Sequence, residues 1–234
     1  MKIIYVAILF VVAFVLNGCG EKVPSLDIKE QRIEAEIKKQ FPGKIKREGN
    51  KLIVGSVSGK EHVFEDNRSE ENSDIANSYV AHLASSRLPG LDWLIVTVGY
   101  YENSGQKLIS LTSGEMLEYD GSYEPILSPD KNHVLIYSQD IDAGFSSNYI
   151  SVYQLDQNSI NLEIEFDGDP SETRKDSWGP DNPRWLNNET LTYDELRSAK
   201  GDRKQATHIK LQLIKGKWHR TITGKSAYIK NNLQ

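Results

Sequence analysis

The stretch PILSPDKNHVLIYSQD, residues 125–140, decides the fold prediction for this chain. Residues 128–132 read SPDKN, a turn sequence, because proline presets φ and the Asp and Asn side chains close turns with hydrogen bonds. The following HVLIYS, residues 133–138, is short and rich in β-branched and aromatic residues, which predicts a strand. A tight turn feeding a short buried strand is typical of antiparallel β-structure.

Outward from this stretch the same pattern continues in both directions. Residues 91–101 (LDWLIVTVGYY) predict a buried strand, and residues 106–119 predict a hairpin through a Thr-Ser-Gly turn. Residues 52–65 and 207–223 predict two further hairpins. The segment 75–88 has apolar spacing that suits a helix or a strand, and the surrounding β pattern favours a strand.

The predicted helix covers residues 27–41. Asp27 followed by Glu30 matches a capping box, and Ile33, Ile37 and Phe41 share one helical face. The Pro-Gly pair that follows ends it.

A second copy of the 125–140 pattern occurs at residues 182–196, with Pro183 aligned to Pro125. The spacing exceeds the roughly 40–50 residues of most propeller blades, and a polar insertion at residues 167–181 absorbs the excess. The run PxxSPDK, strand, SxD, then IxVYxL resembles blades of β-propellers of the Tol-system and WD type.

Residues 91–196 also resemble a group of uncharacterised bacterial secreted proteins and lipoproteins. The shared features are a YYE strand at residues 100–102, the T-x-G hairpin, the SPD turn, a D-x-D-A-G loop at residues 140–144, and a WGP…W segment containing Trp178 and Trp185. The resemblance implies a mainly β fold: an antiparallel β-meander or a small or incomplete β-propeller-like domain over residues 26–234, with one N-terminal helix.

The N-terminal segment has the layout of a secretory signal. Lys2 precedes an apolar run over residues 3–16, which is short for a span of roughly 20 apolar residues. The run ends in LNGC and resembles the lipobox of bacterial lipoproteins. The resemblance implies cleavage of residues 1–18, lipidation of Cys19, and a tether over residues 19–25. The alternative is a signal-anchor helix that contains a cysteine.

Cys19 is the single cysteine of the chain, so it has no partner for an intrachain disulfide. Gly20, rather than Asp, follows it, which resembles lipoproteins of the outer membrane facing the periplasm. The formal net charge is −5, with 28 Lys and Arg against 33 Asp and Glu. An acidic chain without a basic block disfavours nucleic acid as a partner.

One loop has the residue types of a cation site. Asp140, Asp142 and Asn148 place oxygen ligands around a glycine turn, as Ca²⁺ requires, although the terminal acidic ligand of the full loop pattern is missing. The alternative is a polar turn between strands. Asp167 and Asp169 form a second, less complete acidic loop. No other cofactor is indicated.

The chain contains no catalytic motif. None of the five histidines has the spacing of a zinc pair, and GSVSG at residues 55–59 is not a nucleophile elbow. Trp178 lies in a Gly-, Pro- and Asp-rich segment and is either a contact anchor or tucked beneath the loop, and Trp185 follows it. Both are candidate partner-binding residues.

Together these features predict a lipid-anchored periplasmic protein that binds a protein partner and is not an enzyme. An inhibitor or immunity protein against a wall-directed toxin and an envelope accessory factor are both compatible. The alternatives are a hydrolase of envelope polymer that uses carboxylates such as Asp140 and Asp142, and a Ca²⁺-stabilised structural module.

Overall fold

The structure is a computed structural model that describes residues 26–68, 79–101, 103–121, 123–141, 146–167, 178–198 and 204–227. Within these residues the chain forms one helix, α1, and fifteen strands, β1–β15 in chain order. The strands build four antiparallel sheets, each from consecutive strands. The fold is therefore mainly β and propeller-like, as the sequence predicts.

Helix α1 spans Ile28–Gln40, and the first sheet contains β1 (Ile45–Glu48), β2 (Lys51–Gly55) and β3 (Glu61–Glu65). The second sheet contains β4 (Val80–Arg87), β5 (Trp93–Tyr100), β6 (Ser104–Ser110) and β7 (Met116–Asp120). The third contains β8 (Ile126–Leu127), β9 (His133–Ser138), β10 (Tyr149–Leu155) and β11 (Ile160–Asp167). The fourth contains β12 (Trp178–Asn187), β13 (Thr190–Ser198), β14 (Lys204–Ile214) and β15 (Lys217–Ala227).

The predicted helix is confirmed, with its capping box in place. The Asp27 carboxylate accepts from the Glu30 N–H at 2.7 Å, and the Glu30 carboxylate accepts from the Asp27 N–H at 2.9 Å. Ile37 and Phe41 are buried in an apolar core shared with residues of the first and second sheets, and the helix lies against β4 of the second sheet. The helix ends before Gly43, whose φ of 75° is a left-handed conformation.

The turn predicted at residues 128–132 also forms, and it joins β8 to β9 in the third sheet. The Ser128 hydroxyl donates to the Asp130 carboxylate at 2.7 Å, and the Asn132 N–H donates to the same carboxylate at 3.2 Å. The hairpins at residues 51–65, 104–120 and 204–227 are confirmed, and the ambiguous segment forms a strand over Val80–Arg87.

The internal repeat corresponds to two equivalent hairpins. Strands β8 and β9 open the third sheet, and β12 and β13 occupy the same places in the fourth. The two repeats touch, because the Trp185 indole N–H donates to the Ile126 carbonyl at 2.9 Å. The prediction that residues 167–181 form an insertion is wrong for the last four residues, because Trp178–Asp181 belong to β12. Pro180 fits there because β12 is an edge strand of its sheet.

Among the described residues, three apolar cores lie between successive sheets, so the sheets stack face to face. The first core joins the first two sheets and includes Leu52, Val54, Leu94, Val96 and Ile109. The second joins the second and third sheets and includes Trp93, Leu108, Ile136 and Tyr149. The third joins the third and fourth sheets and includes Leu135, Ile150, Leu191, Tyr193 and Ile209.

A buried group of charges fastens the helix to the first two sheets. We call it the Arg47 cluster, and it consists of Glu34, Arg47, Asp66, Arg68 and His82. The Arg47 guanidinium donates to Glu34 at 2.8 Å and to Asp66 at 2.9 Å, and the side chains of these two carboxylates are 2% and 3% exposed. Buried charges are tolerated when they are paired and hydrogen-bonded in this way.

His82 completes the cluster. Its backbone N–H donates to the Asp66 carboxylate at 2.8 Å, and its ring Nδ1 lies 3.0 Å from the same oxygen. Burial alone would raise the pKa of Asp66, but the hydrogen bonds from His82 and the charges of Arg47 and Arg68 outweigh it and lower that pKa. The helix is thus held to the sheets by ionic contacts as well as by the first core.

Candidate functional site

The two ends of the sheet stack differ. One, which we call the turn end, carries the compact connections at residues 56–60, 88–92, 111–115, 128–132, 156–159, 188–189 and 215–216. These turns bind each other across sheets: the Trp93 indole N–H donates to the Asp156 carbonyl at 2.8 Å, and the Asp130 N–H donates to the Asn188 side-chain oxygen at 3.1 Å.

The opposite end, which we call the loop end, carries the longer connections. They join β3 to β4, β9 to β10 and β11 to β12, over residues 66–79, 139–148 and 168–177. Parts of these segments lie outside the described residues. Variable connections held by a rigid scaffold are where binding proteins usually place their contact residues, which makes this end the first place to look for a functional surface.

The described part of the loop end contains an aromatic and acidic surface that we call the Tyr123 cluster: Tyr123, Tyr137, Gln139, Asp140 and Asp181. The rings of Tyr123 and Tyr137 stack with centroids 4.6 Å apart and planes 22° apart. Tyr123 is 38% exposed. Its hydroxyl reaches the Gln139 side-chain oxygen at 3.5 Å, which is long for a hydrogen bond.

Carboxylates surround this tyrosine pair. Burial raises the pKa of Tyr123, and the negative charges of Asp181 and Asp140 raise it further. Burial, with Tyr123 and Asp181, raises the pKa of Tyr137 to about 12. Both phenols therefore stay neutral at physiological pH and can donate hydrogen bonds beside a negative potential. The surface suits cationic groups, which favour aromatic faces flanked by carboxylates.

Tyr123 was not among the partner-binding residues predicted from the sequence. The sequence does contain one indication: Tyr123 lies between Gly121 and Pro125, in a short polar connection that offers little apolar surface to bury a large ring. What could not be read from the sequence is the proximity of Asp181, which belongs to the next sheet.

The acidic loop predicted as a Ca²⁺ site is only partly described. The Asn148 side-chain oxygen accepts from the Asp140 N–H at 2.5 Å, and the Asp140 carboxylate accepts from the Ser146 N–H at 2.8 Å. Asp142 lies outside the described residues, as does Asp169 of the second acidic loop. In the described part of the loop these oxygens therefore close the turn.

The sequence left two alternatives for Trp178, an exposed contact anchor and a ring tucked beneath the loop. The ring is 7% exposed and belongs to the third core, which is the tucked arrangement. Trp185 is half-buried, packs against the same core, and has ring centroids 6.0 Å from His133 and 6.1 Å from Trp218. Its indole is committed to the contact between sheets.

The histidines are dispersed. His62 Nε2 lies 2.8 Å from the Gly114 carbonyl, and His208 Nδ1 lies 2.6 Å from the Asp194 carboxylate. No group of three or more His, Cys, Asp and Glu side chains arranged to hold a metal occurs among the described residues.

Cys19 lies outside the described residues, so its lipidation stays a prediction. No helix in the described part of the chain is long and apolar enough to cross a membrane.

No protein-family model and no curated protein matches the chain. A similar solved structure is that of a "putative 6-phosphogluconolactonase" from Bacteroides fragilis, with a TM-score of 0.38 and 7% sequence identity. The match covers 79% of this chain and 56% of that protein, so this chain spans about half of its length. Similarity at this level assigns no activity to this chain.

Proposed function

We propose that this chain is a lipid-anchored periplasmic protein that binds a protein partner through the Tyr123 cluster at its loop end. The observation that carries the proposal is the exposed Tyr123, whose ring stacks on Tyr137 and lies beside Asp140 and Asp181. Tyrosine is enriched at protein interfaces because its ring supplies a large contact area and its hydroxyl a hydrogen bond.

The lipid anchor is supported by the LNGC pattern that ends in Cys19. Helix α1 begins near the loop end, because Glu30 in its first turn pairs with Arg68 at 2.8 Å. A tether over residues 19–25 reaches at most about 25 Å when fully extended. A lipid at Cys19 would therefore keep the loop end near the membrane, which favours a partner at or close to the same membrane.

The chemistry of the cluster selects a cationic partner surface. Arginine and lysine side chains pair with carboxylates and lie over tyrosine rings, and the chain as a whole carries a net charge of −5. An inhibitor or immunity protein for a basic toxin and an envelope accessory factor both meet this description. The proposed location of the chain is the periplasmic face of the outer membrane.

The experiment is affinity capture from envelope extract with the soluble chain from Glu21 onward, followed by binding measurements on the captured protein. Tyr123→Ala should weaken binding at least tenfold, and Asp181→Asn should weaken it and reduce its salt dependence. The matched control is Val57→Ala, which truncates a residue that is 70% exposed at the turn end.

Equal affinity of the Tyr123→Ala variant and the parent protein would overturn the assignment of the surface. Capture of envelope polymer alone would overturn a protein partner. It would then favour the polymer hydrolase, for which loss of turnover on replacing Asp140 and Asp142 by asparagine is the test.

A further inference from the structure

Helix α1 has an exposed side opposite the side that packs against the sheets. Glu34 and Ile37 are buried, and Glu30 pairs with Arg68, so these positions face the rest of the protein. With about 3.6 residues per turn, positions on the far side recur at intervals of three and four residues. We call this far side the α1 outer face, and its exposed residues are Ile28, Arg32, Ala35 and Lys39, flanked by Lys29 and Glu36.

The α1 outer face is apolar and basic. Ile28 is 71% exposed, and Arg32 lies one helical turn further along. The single carboxylate of the face, Glu36, is paired with Lys39 at 2.6 Å. Lys29 and Arg32 form no ion pair or hydrogen bond with any residue that the structure describes. The face therefore offers two uncompensated cations beside an exposed aliphatic side chain.

The acidic residues at the start of the helix are directed to the protein itself. The Asp27 carboxylate accepts from the Glu30 N–H, and the Glu30 carboxylate accepts from the Asp27 N–H and pairs with Arg68. These contacts leave the charges of the α1 outer face unopposed within the first turns. The chain as a whole carries a net charge of −5, so this face has the opposite sign to the rest of the molecule.

The place of α1 in the chain indicates which surface this face meets. A tether over residues 19–25 reaches at most about 25 Å, and the 13 residues of α1 span about 20 Å. A lipid at Cys19 would therefore keep the whole α1 outer face within reach of the membrane surface. A soluble partner, in contrast, would have to find this face by diffusion.

We propose that the α1 outer face lies on an anionic lipid surface, with Lys29 and Arg32 at the headgroups and Ile28 at the boundary of the acyl chains. The proposal rests on the lipid anchor at Cys19 that is part of the proposed function. Each basic residue beside an anionic membrane strengthens binding about fivefold, and an apolar side chain buried at the headgroup boundary adds to this.

Contact through α1 would orient the whole molecule. The Arg47 cluster and the first core fasten the helix to the sheets, so a helix held on the lipid surface also fixes the direction of the loop end. A tether alone would leave the sheets free to rotate above the membrane. The Tyr123 cluster would thus be presented to its partner in one orientation.

The test uses the lipidated chain with Ala35→Cys, in vesicles of phosphatidylcholine alone or mixed with phosphatidylglycerol. Acylation consumes the thiol of Cys19, the single cysteine of the chain, so an environment-sensitive dye labels position 35 alone. Blue-shifted emission and quenching by nitroxide lipids are expected in the mixed vesicles and should be much weaker in phosphatidylcholine. The matched control is Val57→Cys at the turn end, which should show neither effect.

Three results would overturn the proposal. They are the same emission from position 35 in both kinds of vesicle, an equal shift at position 57, and a shift that grows with protein concentration at fixed lipid. The last of these would identify a second copy of the chain on the face. A chain that does not float with the vesicles would instead overturn the anchor itself, whereas a lipidated chain whose helix stays off the lipid still floats.

The double variant Lys29→Gln with Arg32→Gln should weaken the helix–lipid contact at least tenfold, as measured from the emission at position 35. Its matched control is Lys217→Gln with Lys225→Gln, which removes two exposed cations from β15 and changes the net charge equally. Equal losses in the two double variants would show general charge attraction and would overturn the assignment of the face.

Ile28→Ser separates membrane contact from a structural role. The side chain is exposed, so Tm should stay unchanged, while nitroxide quenching at position 35 should weaken several-fold. A lower Tm with unchanged quenching would show that Ile28 stabilises the helix and would overturn its contact with lipid.

Discussion

The Arg47 guanidinium donates to the buried Glu34 carboxylate through both Nε and Nη2, at 3.1 and 2.8 Å. The pair joins helix α1 to strand β1, and its members are 13 residues apart in the sequence. Because Arg47 also binds Asp66, its removal takes one cationic partner from each of two buried carboxylates. Arg47 therefore adds a central ionic contact to the Glu30–Arg68 pair and to the apolar contacts of Ile37 and Phe41.

The first prediction concerns this side chain. Arg47→Met should reduce the free energy of unfolding by about 3 kcal/mol, the lower end for removing one partner of a buried ion pair, because Lys38 still pairs with Glu34 and Arg68 still pairs with Asp66. Urea unfolding followed by circular dichroism measures it. The control is Lys39→Met, which breaks an exposed pair with Glu36 and should cost at most about 1 kcal/mol. Similar losses in the two variants would contradict a special role for Arg47.

The second prediction concerns acid stability. The pKa of Asp66 is lower in the folded chain than its usual 3.8, so the unfolded chain binds a proton more readily on acidification. This contribution to stability is fully present above about pH 5 and is lost as pH falls through the folded pKa. The measurement is Tm between pH 7 and pH 2. Asp66→Asn should lower Tm at neutral pH and flatten its acid dependence, and an unchanged slope would contradict the assignment.

The third prediction compares two glycines with the same φ of 74°. A Cβ at Gly216 meets no atom within 4 Å, so Gly216→Ala should cost only the left-handed backbone strain, about 1–2 kcal/mol. A Cβ at Gly114 would lie 2.8 Å from the Lys60 Cβ, so Gly114→Ala should cost more. Thermal unfolding of both variants decides this, and a smaller loss at Gly114 would be the contrary result.

The fourth prediction follows from the burial of Trp178. Trp178→Ala should reduce the free energy of unfolding by about 3–5 kcal/mol, because it opens a cavity in the third core. Trp178→Phe should cost much less and should leave partner capture unchanged. A capture defect in a stably folded Trp178→Phe variant would restore the contact role that burial argues against.

The fifth prediction concerns cations. Because Asn148 and Asp140 bond to backbone N–H groups, EGTA should leave Tm unchanged. A fall in Tm on chelation, reversed by Ca²⁺, would support the cation site instead.

Local chemistry made the elements predictable. The Asp27–Glu30 capping box and the Ser128–Asn132 turn depend on residues a few positions apart, and both form as expected. Trp178–Asp181 were misjudged because Gly, Pro and Asp usually mark a loop. Strand β12 instead has Gly179 at a position where the Cβ of any other residue would lie 2.8 Å from the Ile141 side chain. Packing between sheets overrides the local preference there.

The side-chain clusters could not be predicted from the sequence, because they depend on the register of paired strands and on how the sheets stack. Arg47 reaches the His82 carbonyl across 35 residues, and Asp194 meets His208 across 14. A shift of one residue in any strand would turn these side chains to the opposite face. The pairing of Asp194 with His208 therefore became visible only with the β13–β14 register.

Every sheet in the described part of the chain is built from consecutive strands. A chain delivered N-terminus first can complete each sheet before the next one appears, without waiting for a distant segment. Folding should therefore be quick for a mainly β protein, because the strands that pair within each sheet are neighbours along the chain. The stacking order of the sheets also follows the chain. Local unfolding of the first sheet should therefore change the structure of the fourth sheet little.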